Sequence, residues 1–236
     1  MAKKKVGAVI LTASLAIVAT VGITLAYLSD VTETATNTFA SDKSISLQLR
    51  EPKWDGYTFA DGKTQNGAAA KDKSDKTLGV NIAGQYVPGE AIPKDPQVKN
   101  DGDKGENIYT ALKVEDFKVS STGTEVQMKY EDFAKTYLNA DGIKINTGWD
   151  LLQTQDNGSQ IYIYGKSNNA SQLEIGKTTA ALFQQVVLSP DIEPDSATGL
   201  LPQFHVKVTA YGIQTANVKA DEAGTMLLKF IGETKN

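Results

Sequence analysis

Ser44-Ile45-Ser46-Leu47-Gln48-Leu49-Arg50 alternates strictly between apolar and polar residues. Successive side chains of an extended chain point to opposite faces, so Ile45, Leu47 and Leu49 share one face and the polar residues the other. This is the period of a half-buried β-strand, and it sets the expectation for the rest of the chain.

Downstream the same signal recurs between turn residues. Residues 61–76 contain no large apolar side chain and read as a long surface loop, because such a segment buries too little area to offset ordering. Pro88-Gly89 fits a type II turn, with Pro presetting φ and Gly supplying φ > 0. Pro93 and Pro96 cannot donate to a ladder, so the strand around them belongs at an edge or starts late. After Asp101-Gly102, Ile108, Thr110, Leu112 and Val114 share a face. Val126 to Tyr130 alternates again, and Phe133 and Tyr137 then fall at helical spacing, predicting a short helix over 131–138 closed between Asn139 and Gly142. Ile161-Tyr162-Ile163-Tyr164 follows the Asp156-Asn157-Gly158 turn as a β-branched and aromatic strand. Leu182 to Leu188 is apolar enough for another. From Phe204 to Gln214 the chain alternates with Phe204, Val206, Val208 and Ala210 inward. Residues 219–231 suit a short amphipathic helix with Ala223, Met226, Leu227 and Phe230 inward, although Gly224 interrupts it. Short strands separated by Gly, Pro, Asn and Asp turns predict an all-β fold, a jelly roll or β-sandwich over residues 42–236 with short peripheral helices and an extended N-terminal segment.

Upstream, Lys3, Lys4 and Lys5 precede an uncharged run from Val6 to Leu28. That pattern is a signal peptide over residues 1–26, with Thr24-Leu25-Ala26 supplying small residues before a cut between Ala26 and Tyr27. The run is also long enough to stay as an uncleaved anchor with its basic end inside. Either way the domain lies outside the membrane, secreted into the extracellular matrix or held at the cell surface. Cleavage at Ala26 removes three lysines and no acid, leaving 21 Lys+Arg against 28 Asp+Glu, so the net charge moves from −4 to −7. An acidic chain without a basic cluster argues against nucleic acid as a partner, and against the membrane after cleavage. The sequence has no cysteine, which excludes disulfides, thiol catalysis and Cys-ligated zinc.

The AYLSD junction at 26–30, NTFAS at 37–41, the block VPGEAIPKDPQVKNDGDKGENIYTALKV at 87–114 and QFHVKVTAYGIQT at 203–215 resemble the TasA/camelysin (CalY) family. These are exported Gram-positive proteins processed by an ER-type signal peptidase of the SipW kind. The stretches 61–76 and 115–175 are closer to clostridial members. The resemblance implies a jelly-roll domain and, for the TasA branch, biofilm fibres built by donor-strand complementation, the N-terminal segment of one subunit completing a sheet of the next. The matching residues here are 27–41, and the expected partner is a second copy of the chain. On an extended backbone Thr32, Thr34, Thr36 and Thr38 line one face, while Val31, Ala35 and Phe39 line the other with Glu33 and Asn37 between them. The apolar three suit alternate pockets of a groove, and Glu33 and Asn37 each need a polar partner. Read otherwise, 27–41 is the first strand of its own domain or a loose terminus.

The camelysin branch implies instead a surface metalloprotease. Zinc hydrolysis needs about three protein ligands and a base. The chain has one histidine, His205, on the face opposite Phe204 and Val206, with no HExxH or GxSxG. The sequence therefore points away from an enzyme, and no cofactor is expected. Residues 100–107 gather oxygen ligands like the start of an EF-hand loop but lack its terminal Glu, and read as a turn rather than a metal site. Trp54, Tyr57, Trp149, Tyr162 and Tyr164 offer a third possibility, a carbohydrate-binding face, against their ordinary use as core.

Overall fold

The computed structural model describes residues 45–61, 69–102, 105–120 and 124–233, together with the backbone of residues 25–26. The fold is all-β, mostly strands in sheets with a few short helices. Its strands are β1 (Leu25–Ala26), β2 (Leu47–Arg50), β3 (Ala91–Pro93), β4 (Gln97–Asn100), β5 (Ile108–Ser120), β6 (Glu125–Gln127), β7 (Trp149–Thr154), β8 (Gln160–Lys166), β9 (Asn169–Ala170), β10 (Gln185–Val187) and β11 (Gln203–Gln214). The helices are α1 (Pro52–Asp55), α2 (Gly79–Ala83), α3 (Tyr130–Tyr137) and α4 (Ala223–Glu233).

The main sheet runs β1-β11-β5-β8-β7, with β6 added to β5 and β9 to β8. All its ladders are antiparallel except β1 on β11. Two separate ribbons, β2 with β4 and β3 with β10, are also antiparallel. The long strands β5 and β11 bury both faces. Ile108, Leu112 and Val114 meet Leu47, Leu49, Val98 and Val208 in one core, while Tyr109 and Ala111 meet Ile161, Ile163 and the α4 residues Ala223, Leu227 and Ile231 in a second.

A bulge lets β5 stay in the first core to its end. Asp116 has φ 57, and the register passes from Lys207 opposite Glu115 to His205 opposite Lys118, so β5 carries one extra residue. Phe117 and Val119 thereby join the face that Leu112 and Val114 began.

The sequence expectation holds for the inward residues of β2, β5 and β11, for a strand at Ile161 to Tyr164, which is β8, and for the turn at Pro88-Gly89, where Gly89 has φ 85 and Glu90 N–H donates to the Val87 carbonyl. Several details differ. The polar side of β2 does not face water: Gln48 and Arg50 are buried, Gln48 donating to Asp101 at 2.7 Å. The expected strand at Val126 to Tyr130 is only the exposed β6, because Tyr130 already starts α3. Between Leu182 and Leu188 only β10 is regular, yet Leu182 and Phe183 are fully buried in the irregular approach to it. In α4 the inward set is Ala223, Leu227 and Ile231, spaced four apart on one helical face, which leaves Met226 46% exposed. Gly224 lets α4 pack closely, since a Cβ there would lie 2.8 Å from Leu152 Cδ1 and 3.1 Å from the Ser167 carbonyl oxygen. The loop at 61–76 is described only at Asp61 and from residue 69 onward, where Ala70 is buried and Lys71 N–H donates to the Asp55 carbonyl. That part is docked rather than free.

Candidate functional site

An edge of a sheet offers unpaired backbone groups, and the main sheet exposes one along β11. β5 occupies one side of β11 throughout. On the other side β1 pairs in parallel at only two positions, Leu25 with Thr209 and Ala26 with Ala210. Among the described residues no strand pairs with that side from Gln203 to Val208.

A cavity of about 740 Å³ lies against this segment and is lined by every residue from Gln203 to Lys207. Consecutive strand residues point to opposite faces, so a cavity that touches all five runs along the strand's edge. Its apolar wall includes Ile92, Phe133, Leu188 and Phe204, and α2 with Tyr86 forms the opposite bank. The aromatic floor is rigid: Phe204 packs on Tyr86, Phe133 and Tyr137 with ring centroids 5.0–5.7 Å apart. Tyr86 donates its hydroxyl to the Pro202 carbonyl at 2.6 Å. Burial, then the neighbouring Tyr137, pushes its pKa up to about 12, so it remains a neutral donor.

The polar rim carries two ion-pair groups. His205 Nδ1 lies 3.0 Å from Glu125 Oε1, and Lys118 reaches the other oxygen of Glu125 at 3.4 Å. Glu115 pairs with Lys113 and with Lys207, the latter at 3.2 Å. Burial raises the Glu115 carboxyl, but hydrogen bonds and charge from Lys113 and Lys207 outweigh it and hold Glu115 below the usual range. The rim is thus charged and mutually satisfied.

The sequence-derived sites fall unevenly on this geometry. Ala26, the last residue before the expected cut, is the second residue of β1 and sits on the β11 edge. Tyr27 and the expected donor residues Val31, Glu33, Ala35, Asn37 and Phe39 lie outside the described residues. His205 is a half-exposed rim residue in an ion pair. In the loop at 100–107, buried Asn100 spends its amide on the carbonyls of Glu106 and Leu173, and Asp101 accepts from Gln48 and Lys99. Those groups knot β4 to its neighbours, and no cluster of three metal-ligating side chains occurs among the described residues. Trp149 and Tyr162 are buried, and Trp149 donates to the Ala180 carbonyl at 2.9 Å, so two of the candidate sugar-facing aromatics belong to the core.

The acceptor side is not legible in the sequence. Alternation named Phe204 and Val206 as inward, but whether β11 lies inside a sheet or at its edge depends on strand order, which no local pattern carries. Compared with known proteins, the chain matches no family model, no curated protein and no solved structure.

Proposed function

We propose that this protein is an exported structural subunit, a jelly-roll domain that assembles into extracellular fibres when the N-terminal segment of one copy adds to the β11 edge of the next. The observation that carries this reading is the edge itself: β11 accepts a short parallel strand at Thr209 and Ala210, and beside it an apolar groove continues along a strand edge that no other strand among the described residues pairs with. Main-chain hydrogen bonds at such an edge give affinity, and pockets for alternate side chains give selectivity.

The segment 27–41 has the complementary chemistry. Val31, Ala35 and Phe39 on one face suit the apolar wall, and Glu33 would have to compete with Glu125 for Lys118 or with Glu115 for Lys207 on the rim. Thr32, Thr34, Thr36 and Thr38 on the reverse face tolerate water. Cleavage after Ala26 by a signal peptidase would remove β1 with the leader and clear Thr209 and Ala210, while freeing the donor segment to reach a neighbour. Processing is then the assembly switch.

The test is electron microscopy of concentrated protein, mature against uncleaved. Fibres from the mature chain alone support the reading, whereas a monomer that stays dispersed at high concentration contradicts it. A casein-cleaving activity lost with chelator would favour the metalloprotease alternative. The half-exposed His205, paired with Glu125 and standing without two further ligands among the described residues, gives that alternative no support.

A further inference from the structure

A buried ionic cluster lies where β2 and β3 end, with Lys94 and Trp54 also on the wall of the cavity beside β11. Glu51 follows β2 and begins α1, and Lys94 follows β3. Lys94 Nζ is 2.7 Å from Glu51 Oε2, with the two side chains 6% and 2% exposed. The Trp54 ring covers the ammonium, its centroid 4.7 Å from Nζ. Two more carboxyls share the site. Asp55 is one helical turn beyond Glu51, its N–H bonded to the Glu51 carbonyl, and the charges of Glu51 and Lys94 both act on its carboxyl. Asp95 adjoins Lys94 in sequence and accepts the Lys53 N–H at 2.7 Å. Both are about 4% exposed.

We propose that Lys94 and Glu51 condense to an intramolecular isopeptide bond, with Asp55 as the proton relay. Within the 2.7 Å contact Nζ passes one proton to the Glu51 carboxylate, leaving a neutral amine against a carboxylic acid. The Nζ lone pair attacks Cδ, the C–N bond forms, and one C–O bond breaks. That oxygen leaves as water, carrying protons that began on Nζ, while Asp55 hands a proton from nitrogen to the leaving oxygen and returns to its starting state. An ammonium and a carboxylate become one neutral amide and one water, so atoms and charge balance without any further reactant.

Three physical features favour this over a lasting ion pair. Holding the two groups in contact turns a bimolecular condensation into a unimolecular one. Burial penalises the charged reactants, and the amide removes both charges. The relay's pKa lies closer to neutral than an ordinary carboxyl's, which eases both taking and giving a proton: burial first, then the charge of Glu51, raises Asp55 to about 6 against the pull of the Tyr57 N–H and the nearby cations, and Asp95 is likewise raised to about 6, chiefly by burial. The bond would join residues 43 apart and so brace a chain that has no cysteine. The inference does not depend on the fibre reading.

Intact-mass spectrometry of the purified mature protein is the test. The expected mass is one water below that of the sequence from its measured N-terminus, and digestion should yield a branched peptide joining Glu51 to Lys94. Full mass in the folded protein overturns the proposal. So does water loss without the branched peptide, since a succinimide at an Asp-Gly pair such as Asp101-Gly102 gives the same mass change. Lys94→Arg keeps a cation but presents no competent amine, and is expected at full mass. Asp55→Asn should form the bond at least tenfold more slowly, and formation at the wild-type rate removes Asp55 from the mechanism. Should either variant fail to fold, the wild-type mass and branched peptide still decide the matter.

Discussion

Burial raises Asp55 and Asp95 from 3.8 to about 6, so the folded chain holds protons there that the unfolded chain has released. Where the native state binds more protons, stability falls as pH rises. Their contribution is fully present below pH 3.8 and lost as pH climbs through about 6. Glu115 acts in the opposite sense: its lowered pKa gives stability that is present above 4.5 and lost on acidification. The melting temperature is therefore expected to peak between pH 4 and 5 and to decline by a few degrees toward pH 7. Asp95→Asn keeps an oxygen for the Lys53 N–H and should flatten that decline. A melting temperature that rises steadily from pH 5 to 7 in both proteins would show that these carboxyls are ionised throughout. His205→Ala removes only a half-exposed ion pair with Glu125, and a change of less than about 1 kcal/mol in unfolding free energy is expected from denaturant titration.

Two elements test how the layers are fastened. α2 meets β3 so closely that a Cβ at Gly79 would lie well inside contact with the Pro93 carbonyl oxygen and 2.8 Å from the Trp54 ring. Backbone and a packed indole cannot give way cheaply, so Gly79→Ala should destabilise by about 1–3 kcal/mol. An unchanged melting temperature would mean that α2 is held less tightly. In α4, Leu227 is fully buried while Met226 is 46% exposed. Leu227→Ala is expected to cost about 2–5 kcal/mol and Met226→Ala under 0.5 kcal/mol. Equal losses would contradict the assigned helix face.

At this scale the legibility of the sequence divides cleanly. β5 and β11 were readable because apolar residues recur on one face, and β8 because a β-branched and aromatic run follows the Asp156-Asn157-Gly158 turn. Strand β10 was blurred because Leu182 and Phe183 are buried without being in a strand, and apolarity reports burial rather than dihedral angles. Gln48 and Arg50 misled the reading of β2, since a polar residue with a buried partner such as Asp101 looks from sequence like a solvent-facing one. Met226 did so in α4, where Ala223 and Leu227 face inward as expected but the buried stripe continues through Ile231 rather than Met226. The groove and the Lys94–Glu51 pair join residues far apart in the chain, and only the tertiary arrangement brings them together.

For the whole molecule, the central claim is that the main sheet lacks a strand which residues 27–41 of another copy provide. A chain beginning at Asp42 retains β2 through α4 and both cores, so it should fold, and it should remain monomeric because it carries no donor. Its β11 edge from Gln203 to Lys207 stays open to a synthetic peptide of residues 27–41. The direct measurement is the melting temperature of this shortened protein with and without the peptide. Binding to the native state alone stabilises it by mass action, about 2.7 kcal/mol at a hundredfold excess over Kd, which for a domain of this size is a rise of roughly 5–11 °C. The same peptide with Val31, Ala35 and Phe39 replaced by Asp should give no rise, because charge would enter the apolar wall. A melting temperature indifferent to the native peptide, or fibres formed by the chain that begins at Asp42, would contradict the account.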